Sequence, residues 1–449
     1  MLINFRFENF LSYKNLTDFS MIASKVRSHR KYKKQISENL SLLNFSAIYG
    51  ANASGKSNFI NALTFARTFI LSSKNELRKN LLKDSYFKAQ DSFKLKDTKF
   101  EFDFISDNKI YTYGFSVNLF NLSLKEEWLY RNEGGDDLAL FNIDYSKPFD
   151  KNHFSIENWG LLEKDIPRFD IYISDAQKSN SLFLKYINTP ERKIDYSIDV
   201  YKAYEWFLQT LEIIEPEGEV SRSAEVFLKQ DDTDKLARFL HSFSTGINAI
   251  EREEITKADI DEIPDDRVLE SIISRVIEVN KNKDSKKIIN LVQTEENIYF
   301  FSVNDDYEIV IERLYFIHDG TNAKFAFREE SDGTRRLIKI YGVLNTVENK
   351  VFIIDEIDRS FHPNLTYEFI RKSLENNLIQ LIVTTHEDRL LDLSLLRRDQ
   401  IWFVDKEENA SHMYSLEEYK VRFDKDIMKE YLVGKYGSIP KFDCLIMGE

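Results

Sequence analysis

The chain has 449 residues, of which 42% are hydrophobic and 31% charged, a composition that supports a globular core and excludes wholesale disorder. Its net charge of -13 excludes a protein that coats nucleic acid over a broad face. A single cysteine, Cys444, excludes an intramolecular disulfide, and no run approaches the ~18 apolar residues of a membrane span, so we expect a cytoplasmic protein without a membrane partner.

The first 150 residues predict strands around one glycine-bearing loop. Ile3, Phe5 and Phe7 alternate with polar residues, which predicts an opening strand. A second apolar strand at 45–49 leads into the loop and then into a helix at 58–70. Apolar residues alternate again through 99–130, which predicts antiparallel strands and hence a β-lobe.

Residues 151–290 change to helical spacing and predict a mainly helical insertion. Apolar residues recur every three or four positions in the segments 204–214, 236–247 and 269–277. An acidic stretch with a proline, residues 261–266, predicts the connection between two of these helices. No heptad pattern persists long enough for an extended coiled coil.

Residues 291–449 return to short strands and then alternate strands with helices. A helix is predicted from about residue 333, with apolar strands at 351–354, 378–384 and 401–404. Near-continuous apolar strands between helices are typical of a parallel sheet buried on both faces. We therefore predict an α/β fold in which residues 1–150 and 291–449 bracket the insertion at 151–290.

The octapeptide that begins at Gly50, GANASGKS, fits the phosphate-binding pattern G-x-x-x-x-G-K-S between a strand and a helix. Such a loop points backbone N–H groups at phosphate oxygens, assisted by the helix N-terminus. Lys56 supplies positive charge to the β- and γ-phosphates, and Ser57 supplies a hydroxyl ligand for Mg²⁺. The sequence therefore predicts an ATP site with Mg²⁺, bound by Gly50, Asn52, Ser54, Gly55, Lys56, Ser57.

The apolar strand at 351–354 ends in two carboxylates, Asp355 and Glu356. Asp355 is expected to hold Mg²⁺, usually through water. Glu356 is expected to polarise the water that attacks the γ-phosphate. The strand at 379–384 leads to His386, which at that position reaches the γ-phosphate and reports its presence. The chain is therefore predicted to be an ATP phosphohydrolase with the catalytic residues Glu356, Lys56, His386.

A second anion-binding helix start lies in the segment EESDGTRR at residues 329–336. Ser331 and Gly333 open this helix, where free N–H groups and the helix dipole favour an anion. Since the P-loop already holds the phosphates of the chain's own nucleotide, the second cradle is expected to hold the nucleotide of a partner subunit. This predicts a homodimer, or a higher homo-oligomer, that sandwiches ATP.

The order of these motifs resembles that of the ABC-type ATPase heads, as in the SMC, RecF and OLD proteins. In that family two heads sandwich two ATP molecules, so the resemblance implies that Ser331 and Gly333 act in trans on an ABC/SMC-type head. The segment SDGT departs from the usual SGGQ, and His362 stands where transporters of the family carry an aspartate. Gln90 is the candidate for the family's glutamine loop.

A closer resemblance covers most of the chain. The segments ESDGTRRL at 330–337, DEIDRS at 355–360, LLRRDQIWFV at 395–404 and GKYGSIP at 434–440 are similar to the bacterial RloA/AbiL-type ATPases of abortive-infection and other anti-phage systems. Those ATPases typically stand beside a second protein that resembles a nuclease. The resemblance implies a sensor or switch subunit that answers a phage-derived trigger and controls a separate nuclease or toxin effector.

The alternative is an SMC- or RecF-like ATPase of DNA repair or maintenance, which predicts a basic face and hydrolysis stimulated by DNA. The most basic stretch, residues 25–34, leaves direct contact with nucleic acid open, because a solvated loop has the same composition. The residues after Val404 are too few for the nuclease domain of OLD proteins, so any cutting is expected of another polypeptide.

Overall fold

The computed structural model describes most of the chain, namely residues 1–26, 29–72, 84–149, 153–179, 181–189, 198–229, 233–260, 262, 266–281, 289–419 and 425–437. Cys444 lies outside the described residues, as do the end of the 434–440 segment and most of the predicted acidic connection at 261–266. The basic stretch 25–34 is described except for residues 27 and 28.

The described strands fall into three larger sheets and one two-stranded ribbon. In chain order they are β1 (Leu2–Glu8), β2 (Thr17–Ser20), β3 (Lys33–Gln35), β4 (Ser41–Leu43), β5 (Phe45–Gly50), β6 (Thr98–Ser106), β7 (Lys109–Asn118), β8 (Ser123–Glu133), β9 (Asp136–Asp144), β10 (Leu211–Ile214), β11 (Ile247–Ile255), β12 (Asn290–Gln293), β13 (Ile298–Val303), β14 (Ile309–His318), β15 (Lys350–Ile354), β16 (Ile379–Thr384), β17 (Ile401–Glu407) and β18 (Ala410–Ser415).

Helices join these strands, and within the described ranges none is long and apolar enough to cross a membrane. In chain order they are α1 (Lys56–Leu71), α2 (Ile166–Ser179), α3 (Phe183–Ile187), α4 (Ile198–Glu205), α5 (Arg222–Lys229), α6 (Thr233–Ser242), α7 (Asp266–Lys281), α8 (Asp332–Lys339), α9 (Tyr341–Asn345), α10 (Pro363–Leu374) and α11 (Ile427–Leu432).

Tertiary contacts divide the chain into two compact units. The first unit comprises Met1–Ile213, Glu348–Ile357 and Ile370–Glu449, and the second comprises Ile214–Val347 and Asp358–Phe369. The domain boundaries predicted from the sequence, 1–150, 151–290 and 291–449, stay a prediction.

The central sheet of the first unit has the strand order β10-β15-β16-β5-β17-β18. The strands β15, β16, β5 and β17 run parallel, and β18 returns antiparallel to β17. Every residue of β5 and β16 is buried, as expected of apolar strands covered on both faces. The prediction of a parallel sheet is confirmed, and the carboxyl ends of β5, β15 and β16 meet at one edge.

An antiparallel sheet, β2-β1-β6-β7-β8-β9, forms the predicted β-lobe of the first unit. Its inward aromatic residues pack on α1: the ring centroid of Phe5 lies 6.0 Å from that of Phe59 and 4.6 Å from that of Phe102. The same core continues into central-sheet residues such as Ile48 and Ile382. One aromatic core therefore holds the helix that follows the glycine-bearing loop.

The second unit contains an antiparallel sheet, β11-β14-β13-β12, and the helices α5 to α9. The helix α7 packs on this sheet through Ile273 and Val276, which contact a cluster containing Tyr299 and Phe301. This helix contains the predicted segment 269–277, so that prediction is confirmed.

For two other predicted helices, the predicted carboxyl-terminal end is wrong. The segment predicted at 204–214 is helical only to Thr210, and Leu211–Ile214 form β10, because these residues pair at the edge of the central sheet. The helix in the segment predicted at 236–247 ends at Ser242. The chain leaves the helical path at Ser244, whose φ is +60°, and Ile247 begins β11. Apolar residues at helical spacing also fit the buried start of a strand, which explains both errors.

Candidate functional site

The predicted P-loop, acidic pair and histidine meet at one edge of the central sheet. Val383 of β16 pairs with Ala47 of β5 on one side and with Ile354 of β15 on the other. The strand that leads to His386 therefore lies between the strand of the P-loop and the strand of Asp355. Because these strands are parallel, all three loops leave the sheet on the same side.

The glycines of the loop are required by its conformation and by its neighbours. Gly55 has a φ of +118°, and a Cβ there would lie 2.3 Å from Ser411 Oγ. A Cβ on Gly50 would lie 2.5 Å from the carbonyl oxygen of Val404. Side chains at either position would push the loop off the sheet, so the loop adopts its curl only with glycine.

Two observations indicate that the loop fits a nucleoside triphosphate. The buried Lys56 ammonium lies across the loop and donates hydrogen bonds to the carbonyl oxygens of Gly50 (2.7 Å) and Ala51 (3.2 Å). The hydroxyl of Ser54 is buried and has no hydrogen-bond partner in the described part of the chain. Asn52 and Ser57 are exposed at the mouth of the loop, where Ser57 could bind a metal ion that accompanies the phosphates.

A ring of polar residues, which carries no sequence signal, supports the loop from behind. The Ser411 hydroxyl of β18 donates a hydrogen bond to the carbonyl oxygen of Ser54, and its oxygen lies 2.7 Å from Ser12 Oγ, within hydrogen-bond distance. The Tyr13 hydroxyl donates to the carbonyl oxygen of Gly55 at 3.2 Å, and burial raises the pKa of Tyr13, so it stays a neutral donor. These contacts join residues about 40 and 400 positions apart.

Thr384, a fully buried residue at the end of β16, positions the acidic pair. Its hydroxyl donates a hydrogen bond to Asp355 Oδ1 and accepts one from the backbone N–H of Glu356 at 2.8 Å. Glu356 has a φ of +48°, a left-handed conformation that costs a non-glycine residue about 1–3 kcal/mol. Backbone strain of this kind persists where the surroundings hold a side chain in a particular direction.

His386 is exposed on the loop that follows β16. The backbone N–H of Thr385 donates a hydrogen bond to the carbonyl oxygen of Ile48 at 3.2 Å, and the Thr385 hydroxyl accepts one from Glu387 N at 2.9 Å. These bonds tie the loop to the strand that precedes the P-loop. They leave the imidazole on the exposed edge where a bound phosphate would lie.

Ser331 and Gly333 belong to the second unit, whereas the P-loop and the acidic pair belong to the first. Ser331 is the exposed N-cap of α8, and its hydroxyl accepts a hydrogen bond from Thr334 N at 3.1 Å. A Cβ on Gly333 would lie 2.9 Å from the carbonyl oxygen of Ser360, so glycine also has a packing reason at this position. Their action on a nucleotide of another subunit stays a prediction.

His362 and Gln90, which stand at two motif positions of the ABC-type heads, are both exposed and lie next to short local structures. His362 is exposed and caps α10: its Nδ1 accepts a hydrogen bond from Asn364 N at 3.2 Å. Gln90 is exposed ahead of a short 3₁₀ turn, and its part in a glutamine loop stays a prediction. Where the structure describes the chain, no three His, Cys, Asp or Glu side chains form a metal cluster of their own.

The fold and the site define a P-loop ATPase of the α/β class. Residues 45–392 match the family described as "AAA domain, putative AbiEii toxin, Type IV TA system", and the chain belongs to this family. A search of curated proteins finds no match.

Solved structures similar to this chain include SMC head domains. One is an SMC head bound to the C-winged helix domain of ScpA, with 14% identity, a TM-score of 0.41, and coverage of 92% of this chain and 97% of that chain. Another is the SMC head domain from Thermotoga maritima, with 12% identity, a TM-score of 0.37, and coverage of 92% of this chain and 98% of that chain. A third is the Smc head domain with an extended coiled coil bound to the C-terminal domain of ScpA from Pyrococcus furiosus, with 13% identity, a TM-score of 0.42, and coverage of 93% of this chain and 97% of that chain. These identities and TM-scores are too low to assign a function to this chain. The strand order and pairing of the described chain confirm the predicted α/β architecture, with a mixed core sheet, an antiparallel β-lobe and a mainly helical insertion.

Proposed function

We propose that this chain binds and hydrolyses ATP and acts as the switch subunit of a cytoplasmic anti-phage defence system of the RloA/AbiL type. In this proposal it controls a separate nuclease or toxin in response to a phage-derived trigger. The observation that carries the ATPase assignment is the P-loop held at the same sheet edge as the acidic pair bridged by Thr384. The family description, which names a toxin of a toxin–antitoxin system, supports the defence context.

Binding begins with the loop itself. The backbone N–H groups of residues 50–57 would surround the β- and γ-phosphates, and Lys56 would exchange its carbonyl contacts for phosphate oxygens. Ser57 and Asp355 would hold Mg²⁺, which when bound offsets the negative charge that develops on the phosphate oxygens.

Hydrolysis requires a base that faces the attacking water. Glu356 is half-buried, follows the Mg²⁺-binding Asp355 directly, and is held by Thr384 through its backbone N–H. Its carboxylate would orient the water and accept its proton. His386, exposed on the neighbouring loop, would contact the γ-phosphate.

The switch follows from sharing each ATP between two copies of the chain. Ser331 and Gly333 of a second copy would contact the γ-phosphate and so complete the site. ATP would then have a higher affinity for the closed dimer than for the open chain, and hydrolysis would release the closure. The effector would respond to this change of state.

The variant Glu356→Gln tests the hydrolysis step. We expect it to bind ATP, to accumulate as an ATP-bound dimer and to hydrolyse ATP about 10²–10⁴ times more slowly than wild type, because the amide cannot accept the proton. Steady-state ATPase assays and light scattering with and without ATP measure both effects. Glu375→Gln is the matched control, since Glu375 is an exposed residue directly after α10 that pairs only with surface Arg371 in the described structure. A wild-type rate in Glu356→Gln would contradict the proposal.

Affinity purification of the tagged protein, expressed with its genomic neighbours, tests the switch assignment. We expect a stoichiometric second protein with nuclease-like or toxin-like residues, and a change in the mass of the complex when ATP is added. Recovery of the chain alone with bound nucleic acid would instead support the alternative of a DNA-binding ATPase.

A further inference from the structure

A cavity of about 570 Å³ lies within the second unit. Its walls are the segments 216–219 and 293–295, Phe327, one side of α8, and the turn at 359–360. Its size falls within the range of roughly 300–1,000 Å³ that small-molecule sites occupy. The proposed ATPase mechanism uses none of the side chains that give this cavity its charge.

Four cationic side chains line the cavity: Arg335, Arg336 and Lys339 from α8, and Arg359 from the turn. Lys339 is four positions from Arg335 and three from Arg336, so each arginine is a neighbour of Lys339 on the surface of α8. Arg336 is almost fully buried, and its guanidinium is held by hydrogen bonds to the carbonyl oxygens of Glu215 (2.9 Å) and Pro216 (3.3 Å). This base of the cavity is therefore rigid and positively charged.

Lys339 has no ion pair among the described residues, and the charge of Glu217, which itself pairs with Arg359, only partly offsets that of Lys339. Its ammonium is half-buried, and no carboxylate of the described residues lies within ion-pair distance of it. Burial and the charges of Arg336, Arg335 and Arg359 lower the pKa of Lys339. The carboxyl end of α8 favours cations in its last turn, but that dipole does not account for Arg359, which comes from another segment.

The acidic residues of the cavity lie at its rim. Glu219 and Glu295 are exposed, Glu217 is 83% exposed on its side chain and pairs with Arg359 at 2.8 Å, and Asp332 pairs with Arg335. A rim of carboxylates repels an extended polyanion such as a nucleic-acid backbone. A compact anion that passes the rim reaches Arg336 and Lys339 at the base.

We propose that this cavity is a second anion site, which binds a small phosphate-bearing ligand, either a mononucleotide or a phosphate compound without a base, through Lys339, Arg336 and Arg335. Phosphate oxygens accept charge-assisted hydrogen bonds from both guanidinium and ammonium groups, and the ligand's negative charge offsets the repulsion among the four cations. The site is separate from the P-loop, and the inference stands whether or not the chain hydrolyses ATP.

Calorimetric titration of the full-length chain carrying Lys56→Ala tests the site without the P-loop's contribution. The probes are inorganic pyrophosphate and, separately, AMP. We expect saturable binding of at least one probe, weakened about ten- to a hundredfold by Lys339→Gln, as expected for the loss of one charge-assisted contact. Lys324→Gln is the control, because Lys324 is a cation of the same unit that pairs with Glu251 at 2.9 Å. Arg335→Gln is the second variant, and thermal unfolding of each variant checks that it folds.

The outcomes separate the sources of the anion. Tighter binding of AMP identifies a nucleotide ligand, and tighter binding of pyrophosphate identifies a ligand recognised through its phosphates alone. Either result supports the site if Lys339→Gln weakens binding and Lys324→Gln does not. The proposal is overturned if neither probe binds at millimolar concentration, or if Lys339→Gln and Arg335→Gln leave binding unchanged.

Discussion

Single side chains decide the geometry of the candidate ATPase site more than the motif itself does. The motif supplies Asp355 and Glu356, but Thr384 bridges them from the next strand, with its hydroxyl on Asp355 Oδ1 and on Glu356 N. Nothing in the spacing of residues 355 and 384 indicates this contact. This bond pattern makes Thr384 a positioning residue for the Asp355 carboxylate and for the backbone of Glu356.

Thr384→Val removes the hydroxyl and keeps the shape. We expect the free energy of unfolding to fall by about 1–3 kcal/mol, because a buried carboxylate oxygen and a backbone N–H lose their partner. The ATPase kcat is expected to fall while the KM for ATP changes little, since the P-loop is untouched. Denaturant unfolding and ATPase kinetics measure the two effects.

Thr366→Val is the matched control for this prediction. Thr366 is fully buried in α10, and its hydroxyl has no hydrogen-bond partner among the described residues. Replacing it by valine is therefore expected to be neutral or stabilising. Equal losses of stability in the two variants would show that the hydrogen bonds of the Thr384 hydroxyl do not stabilise the folded chain.

At the scale of elements, one buried carboxylate joins the β-lobe to a helix. Glu127 of β8 is fully buried, and its carboxylate accepts hydrogen bonds from the hydroxyls of Tyr113 (2.9 Å) and Tyr145 (2.6 Å). It also accepts the backbone N–H groups of Phe183 (2.6 Å) and Leu184 (2.9 Å), at the start of α3. The helix α3 is short, so this cap is a large share of what holds its first turn.

Burial raises the pKa of Glu127 above its ordinary value of 4.5, despite these donors. The folded state therefore binds the proton more tightly than the unfolded chain does, and the stability due to this proton is present below about pH 4.5 and lost as the pH rises through the folded pKa. We expect the free energy of unfolding of wild type, minus that of Glu127→Gln, to fall over this window. Urea unfolding at a series of pH values measures it.

The control for the pH dependence is the neighbouring Glu126→Gln. Glu126 is exposed on the same strand, so its replacement should leave the shape of the pH profile unchanged. If the difference between wild type and Glu127→Gln does not vary with pH, the raised pKa of Glu127 is wrong.

At the scale of the whole molecule, the residues proposed to contact one ATP are divided between two compact units. Lys56 and Glu356 lie in the first unit, and Ser331 and Gly333 lie in the second. The proposal that the second set acts on the nucleotide of another copy predicts a property that only an oligomer has. Two inactive chains should complement each other.

We expect Lys56→Ala to be inactive through its P-loop and Ser331→Arg to be inactive through its α8 start. Mixed in equal amounts, they should recover roughly a quarter of the wild-type ATPase rate, because half of the dimers are mixed and each mixed dimer has one complete site. ATPase assays across mixing ratios measure this recovery. No recovery at any ratio, although light scattering shows mixed dimers, would mean that Ser331 does not act in trans.

The sequence by itself determined the features whose physical cause is local. A P-loop needs its glycines, Lys56 and Ser57 within eight consecutive positions. The strands β5, β15 and β16 are continuous apolar runs, and such a run by itself indicates a strand that is buried on both faces. The alternating segment at 99–130 predicted the β-lobe for the same reason, since strand periodicity is visible within a few residues.

Only the tertiary structure decided how these pieces meet. It placed β16 between β5 and β15, made Leu211–Ile214 a strand, and brought Ser411 behind the P-loop, about 400 positions from Ser12. The cations of the second-unit cavity likewise come from two segments, α8 and the turn at Arg359. Hydrophobic periodicity reports which face of a segment is buried but not against which segment, so contacts between distant residues are settled by packing and hydrogen bonding in the folded chain.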